Sequence, residues 1–194
     1  MVSLAVACRR LFRSASVLAL VALIGCGGPG SDLPPLAEVG SATYSLGPGD
    51  QVRIITFGEE NLTGEFRVND SGKIALPLIG AVQAAGLTSA GLETGVAEAL
   101  RRARLLRNPS VAVEIVAYRP IYVLGEVNRP GQYPYQSGMT VVTAVAVAGG
   151  FTYRAIEGYA AVVRTIEGKA VESRANRQAF VQPGDVITVF ERRF

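Results

Sequence analysis

Short alternating apolar runs, separated by glycine and proline turns, dominate the chain from residue 44 onward and restrict it to small sheets. Val52, Ile54 and Thr56, for example, alternate with their neighbours in the way a strand requires. Strands are predicted at residues 52–57, 66–68, 73–78, 111–118, 121–127, 132–136, 160–166 and 186–190. Because each run is short and ends at a turn signal, a single large sheet is not expected.

Two segments have helical patterns. Thr88 can cap a helix that presents one apolar stripe, which consists of Leu92, Val96, Leu100 and Ala103. Residues 139–150, MTVVTAVAVAGG, fit either a strand or a buried helix, and the Thr140 cap and the double glycine at the end favour a helix. The order predicts an α+β protein with two small sheet-plus-helix modules in tandem, the second with the strand–turn–strand–helix–strand order of a β-grasp.

One tripeptide occurs twice, as Pro48-Gly49-Asp50 and as Pro183-Gly184-Asp185. Proline fixes φ and glycine accepts a positive φ, which suits the two central positions of a type II turn. An aspartate that follows such a turn can accept hydrogen bonds from nearby backbone N–H groups. We therefore interpret all six residues as structural turns rather than as catalytic groups.

The first 25 residues have the pattern of an export signal. Three arginines, Arg9, Arg10 and Arg13, precede an apolar run over residues 14–25 that is too short to span a bilayer. The run ends in Leu23-Ile24-Gly25-Cys26, which resembles the bacterial lipobox. The resemblance implies cleavage after Gly25 and lipid attachment at Cys26. The paired arginines fit both the general secretory route and the twin-arginine route.

Residues 26–43 are rich in glycine, proline and serine and have no period, so we expect the lipidated Cys26 to be followed by a flexible tether. Three of the 19 lysines and arginines lie in residues 1–25, and the remainder balances 16 basic against 16 acidic residues. The mature chain is therefore not expected to bind nucleic acid. Both cysteines, Cys8 and Cys26, precede the modules, which must be stabilised by their apolar cores alone.

The residues for most enzyme chemistry are missing. The chain has no histidine and the modules have no thiol, which removes the usual general base, nucleophile and metal ligands. We expect no enzyme activity, no metal and no cofactor. Tyr133 and Tyr135 fall on one face of a predicted strand, where their rings could stack on a sugar or fill a subunit contact.

Two longer stretches carry a family resemblance. YSLGPGDQVRI, GKIALPLIGAVQAAGLT and NPSVAVEIV resemble the polysaccharide-export domain of Wza-like capsule and exopolysaccharide exporters, which implies that domain at residues 44–118. IYVLGEVNRPGQYPYQSGMTVVTAVAVAGGFT resembles the SLBB (soluble-ligand-binding β-grasp) domain that follows it in that family, which implies a second domain at residues 119–194.

The resemblance implies an outer-membrane lipoprotein that faces the periplasm and forms a ring through which a polysaccharide leaves the cell. It also implies an inner-membrane polysaccharide co-polymerase as partner. By the sorting rule of such lipoproteins, Gly27 after the cysteine points to the outer membrane. The chain resembles the short members of the family, which implies either a separate pore protein as a further partner or a role as a periplasmic collar. The alternative is a monomeric periplasmic lipoprotein that binds a carbohydrate or another soluble ligand.

Overall fold

The computed structural model describes residues 28–37, 44–166 and 168–192, and the predictions at Gly25 and Cys26 lie outside these residues. The described residues form two modules, each with its own apolar core, and residues 118–120 link the last strand of the first module to the first strand of the second. Among the described residues, no helix has the length and apolar character needed to cross a membrane.

The first module contains a three-stranded sheet, a separate hairpin and one long helix. Strands β1 (Gln51–Thr56), β2 (Gly64–Arg67) and β5 (Val111–Ala117) pair antiparallel in the order β2-β1-β5. Strands β3 (Lys73–Leu76) and β4 (Gly80–Gln83) form the hairpin. A one-turn 3-10 helix, Glu60–Leu62, connects β1 to β2.

Helix α1 (Ser89–Arg102) covers the core of this module. The Thr88 hydroxyl accepts a hydrogen bond from the Gly91 N–H at 3.1 Å, so the predicted N-cap is confirmed. Leu92, Val96 and Leu100 are buried as predicted, at one-turn spacing, against the sheet and the hairpin. The stripe ends there, because Ala103 is the C-cap residue and is exposed, contrary to the prediction.

The second module is one five-stranded sheet with a short helix. Its strands are β6 (Ile121–Gly125), β7 (Gly131–Tyr133), β8 (Tyr159–Ile166), β9 (Lys169–Asn176) and β10 (Val186–Val189). They lie in the order β7-β6-β10-β8-β9, with β10 parallel to β6 and the other pairs antiparallel. Thr140 and Thr143 form a reciprocal capping box at the start of helix α2 (Val141–Val147), which confirms the helical interpretation of this segment.

The α+β fold class is confirmed, but some strand bounds differ from the prediction and two strands, β4 and β9, were not predicted. The predicted strand at residues 73–78 ends at Leu76, and a tight turn at Leu78 leads into β4, which the sequence analysis missed. Strand β9 was also missed, because most of its side chains are exposed and its pattern lacks clear alternation. It forms all the same, because it pairs with β8 along its full length.

Residues 28–37 differ from the flexible tether that the sequence suggested. We call this segment the strap, because it lies along strand β9, at the edge of the second sheet. The Arg174 N–H donates to the Pro34 carbonyl at 2.7 Å, and the Leu36 N–H donates to the Arg174 carbonyl at 2.8 Å. The Tyr159 hydroxyl donates to the Pro29 carbonyl at 2.9 Å, and Leu36 packs on the second core. The composition of this segment suggested a coil. It pairs with β9 instead, because the edge of β9 supplies hydrogen-bonding partners that composition does not indicate.

Candidate functional site

An open cleft of about 1150 Å³ lies where the two modules meet, and it is the candidate functional site. Its walls contain Pro48 of the first Pro-Gly-Asp turn and all three residues of the second, although 135 positions separate the two turns in the chain. Three tyrosines, two arginines and several glycines also line it. The repeated tripeptide therefore lies at one place in the folded chain rather than at two distant ends.

The first turn has Asp50 at its centre. Gly49 has a φ of +96°, and the Asp50 N–H donates to the Gly47 carbonyl at 3.2 Å, which closes the turn. The Asp50 carboxylate is fully buried and accepts hydrogen bonds from the Tyr44 hydroxyl at 2.6 Å and from the Gly47 N–H at 2.7 Å. It also accepts one from the Arg119 N–H at 2.7 Å, so it joins the first strand to the linker between modules.

The second turn repeats this arrangement around Asp185. Gly184 has a φ of +87°, the Asp185 N–H donates to the Gln182 carbonyl at 3.1 Å, and the Gln182 N–H donates back to the carboxylate at 2.7 Å. The Arg164 guanidinium binds Asp185 through both carboxylate oxygens, at 3.0 Å from Nε and 2.7 Å from Nη2. Both side chains are buried, so each charge is neutralised where water cannot reach it.

Arg119 connects the two turns. Its Nη1 lies 3.3 Å from Asp50 Oδ2, and its Nε donates to the Pro183 carbonyl at 2.9 Å. A Cβ atom on Gly47 would lie 2.0 Å from Nη1, so the guanidinium packs directly on the backbone of the first turn. One side chain in the linker thereby fixes the relative position of the two turns. The assignment of the turns to a structural role stays a prediction.

A row of three tyrosines crosses the cleft. Tyr118 makes edge-to-face contacts with Tyr44 on one side and Tyr135 on the other, with ring centroids 5.0 Å and 5.2 Å apart. Burial and the hydrogen bond to Asp50 raise the pKa of Tyr44 well above its usual value, and burial raises the pKa of Tyr135. Both phenols are therefore neutral hydrogen-bonding groups at physiological pH.

Only one of the two tyrosines that were predicted to share a strand face lines the cleft. Strand β7 ends at Tyr133, because Pro134 has no N–H to continue the ladder. Both rings pack on the second core, but Tyr133 donates its hydroxyl to the Arg129 carbonyl, whereas Tyr135 also lines the cleft. Whether either ring contacts a sugar or a subunit stays a prediction.

Four residues of the cleft were not predicted from the sequence as site residues, namely Tyr44, Tyr118, Arg119 and Arg164. Arg164 had a usable signal, because it falls in phase with the buried Ala160 and Val162 on strand β8. An arginine on an otherwise apolar strand face needs a buried carboxylate partner. For Arg119 the sequence offers only a position beside Pro120, between two strands, and nothing in that position indicates its contacts.

Comparison with known families gives two matches that follow one another along the chain. Residues 39–116 match the family described as polysaccharide biosynthesis/export protein, and residues 120–173 match the SLBB domain. The two matches meet at the linker that holds Arg119, so each family corresponds to one of the two modules.

Three curated proteins illustrate the similarity. The exopolysaccharide production protein ExoF of Rhizobium meliloti (strain 1021) is 38% identical over 90 residues, which are 46% of this chain and 21% of ExoF. The EPS I polysaccharide export outer membrane protein EpsA of Ralstonia solanacearum is 36% identical over 111 residues, covering 56% of this chain and 28% of EpsA. The polysialic acid transport protein KpsD of Escherichia coli is 28% identical over 109 residues, which are 55% of this chain and 19% of KpsD. The matched segments thus span about a quarter of these relatives or less.

Proposed function

Because the chain belongs to the polysaccharide export protein family, we propose that it is a subunit of a complex that exports a capsular or exopolysaccharide across the outer membrane. The observation that carries the proposal is the order of the two family matches, one on each module, together with the joint that holds those modules together. A rigid two-module unit suits a subunit that must repeat in a fixed geometry.

The finer parts of the proposal concern anchoring and partners. We propose that the protein is an outer-membrane lipoprotein, lipidated at Cys26, that faces the periplasm and has no enzyme activity. Its partners would be further copies of itself in a ring, an inner-membrane polysaccharide co-polymerase and a separate outer-membrane pore protein. The names of EpsA and KpsD, an export outer membrane protein and a transport protein, support export as the common task.

One exposed residue supports contact between subunits. Leu78 has a φ of +66° and lies at the centre of a tight turn in which the Ile79 N–H donates to the Pro77 carbonyl at 2.8 Å. This backbone conformation is strained for any residue with a Cβ, yet the side chain is 74% exposed and gains little from packing within the subunit. A contact with the neighbouring copy would account for a leucine at this position.

Export is tested by deleting the gene and measuring the polysaccharide in the culture medium. We expect the deletion strain to lose secreted polymer and the native gene to restore it. Cys26→Ser should leave the precursor uncleaved or release the protein from the membrane fraction. Normal secretion in the deletion strain contradicts the export proposal, and normal processing and membrane retention of the Cys26→Ser protein contradict the lipid anchor.

The ring is tested by measuring the mass of the detergent-extracted complex. Leu78→Gly should reduce assembly while leaving the folded subunit at least as stable, because glycine relieves the positive φ. Leu105→Ala, which shortens another exposed leucine, is the matched control and should assemble normally. A strictly monomeric native protein at high concentration contradicts the ring, and normal assembly of Leu78→Gly contradicts the role of Leu78.

The second candidate function is that of a monomeric carbohydrate-binding lipoprotein. The tyrosine-lined cleft favours it, because phenol rings bind the apolar faces of sugars and offer hydroxyls to their edges. It differs from the first function in two observables. A binding protein would bind oligosaccharide as a monomer, and its deletion would leave the polymer in the medium.

A further inference from the structure

We propose that the cleft between the two modules binds a short, uncharged stretch of the exported glycan. This inference rests on the proposed export function and assigns to it a contact site for the polymer. The cleft is open, which a polymer requires, since a chain that continues in both directions cannot enter a closed cavity. Its volume of about 1150 Å³ is at the upper end of typical ligand sites, so it can hold more than one sugar unit.

The tyrosine row provides the main contact surface. Tyr44 and Tyr135 lie on either side of Tyr118, with their planes at 83° and 78° to its ring, so aromatic rings border the cleft continuously from one module to the other. A pyranose has apolar C–H groups on its faces and hydroxyls around its rim. A tyrosine offers the same combination, an apolar ring and a polar hydroxyl, so the two surfaces are complementary.

The charges of the cleft favour an uncharged ligand. Both arginines that line it are already paired, Arg119 with Asp50 and Arg164 with Asp185. The Arg164 pair is bidentate and buried, so a carboxylated sugar would have to compete with Asp185 for this guanidinium. Because neither cation is left to balance a new anion, a charged sugar would lose its hydration without gaining a partner.

The rest of the lining can hydrogen-bond to hydroxyl groups. Ser137 and Thr165 are exposed on the cleft wall and offer hydroxyls. Gly86 and Gly138 also line it, and the space where a Cβ atom would lie is open at both positions. A ligand can therefore reach the backbone closely there, and backbone N–H and C=O groups suit neutral polar ligands.

The site needs both modules, so it has a fixed orientation as well as an affinity for its ligand. Tyr44 belongs to the first module and Tyr135 to the second, and their relative position depends on the contacts of Arg119 with Asp50 and Pro183. Each subunit of a ring would then present one such cleft in a fixed orientation. We infer that the site guides the polymer along the subunit and does not capture it tightly.

The inference is tested with the full chain in detergent by isothermal titration. The neutral probes are cellotetraose and any uncharged tetramers prepared from the polysaccharide that the same cells secrete, with tetragalacturonate as the charged comparator. We expect saturable binding of at least one neutral probe and weaker binding of tetragalacturonate. Tyr135→Ala and Tyr118→Ala should each weaken the neutral binding about tenfold, as loss of an aromatic contact does.

Two controls keep the result interpretable. Tyr122→Ala removes an exposed tyrosine that is not part of the cleft and should bind like the native chain. Tyr118→Phe removes only the hydroxyl, so it shows whether a loss in Tyr118→Ala comes from the ring or from the hydroxyl, and circular dichroism reports any folding defect independently. Equal binding by native, Tyr118→Ala and Tyr135→Ala chains overturns the inference, as does the absence of binding to every neutral probe.

The outcome for the cleft is separable from the outcome for export. If the deletion strain loses its polymer but the chain binds no neutral tetrasaccharide, the export function stands and the cleft inference fails. If Tyr135→Ala impairs assembly and no saccharide binds, the cleft is a subunit contact and the inference fails as well. If binding is saturable and ring-dependent while the deletion strain secretes normally, the cleft is a saccharide site, but the export proposal fails and the bound glycan is not the exported polymer.

Discussion

Replacing Asp50 by alanine should destabilise the joint between the modules more than any single exposed substitution. The buried carboxylate accepts four hydrogen bonds, from the Tyr44 hydroxyl, the Gly47 N–H, the Arg119 N–H and Arg119 Nη1, at 2.6, 2.7, 2.7 and 3.3 Å. Alanine removes all four and leaves two backbone donors without an acceptor in a site that water reaches poorly.

The magnitude follows from the burial of the two partners. Removing one partner of a fully buried ion pair costs about 3–5 kcal/mol. The Arg119 side chain is 30% exposed, so its charge can be partly rehydrated once Asp50 is gone, which places the loss at the lower end of that range. We therefore expect Asp50→Ala to lower the free energy of unfolding by about 3 kcal/mol.

Urea unfolding of the full chain, followed by circular dichroism and tyrosine fluorescence, measures this loss. The chain has no tryptophan, so the fluorescence reports on tyrosines, among them Tyr44 and Tyr118 at the joint. Asp70→Ala is the matched control, because Asp70 is an exposed turn residue, and it should change stability by less than about 0.5 kcal/mol. A loss in Asp50→Ala no larger than in this control refutes the reasoning. Normal stability combined with lost export would instead mean that Asp50 acts as a functional group.

Three further changes test other parts of the structure. Arg164→Met leaves the buried Asp185 carboxylate unpaired and should lower the free energy of unfolding in urea by about 3–5 kcal/mol. The double variant Arg164→Met with Asp185→Leu should recover most of that loss, and a double variant that recovers none of it contradicts the pairing. Because the pKa of Tyr44 is raised in the folded chain, its phenol ionises first in the unfolded chain as pH rises above about 10. The free energy of unfolding should therefore fall above that pH, and it should fall less in Tyr44→Phe. Leu36→Asp should release the strap, and hydrogen exchange at the Arg174 amide, which donates to the Pro34 carbonyl, should become faster; unchanged exchange means that the strap does not protect this edge.

Local signals were sufficient for the helices and turns. Thr88 and Thr140 mark the starts of the two helices because a side-chain cap acts within three residues and needs no tertiary partner. Gly49 and Gly184 lie in turns that the proline and glycine preferences already specify. Features decided by neighbours in sequence were therefore predictable from sequence.

Features that depend on residues distant in the chain could not be predicted from the sequence. Strand β9 forms because β8 and the strap pair with it, and its own residues give little indication of a strand. The cleft depends on Arg119, whose contacts at Asp50 and Pro183 lie 69 and 64 positions away in the chain. One sequence does not indicate which distant residues pair, so the two Pro-Gly-Asp segments could be interpreted as turns but could not be placed side by side.

The strap has a topological consequence. Residues 28–37 pair with strand β9 of the second module, the chain then forms the whole first module from residue 44, and it returns to the second module at Ile121. In chain order the first module is thus inserted into the second, although the family matches suggest two separate domains in tandem. A protein truncated to begin at residue 39 would keep both family segments and yet expose the β9 edge, a surface on which foreign strands can pair. The unit to express, or to transfer to another protein, therefore begins at residue 28 or earlier.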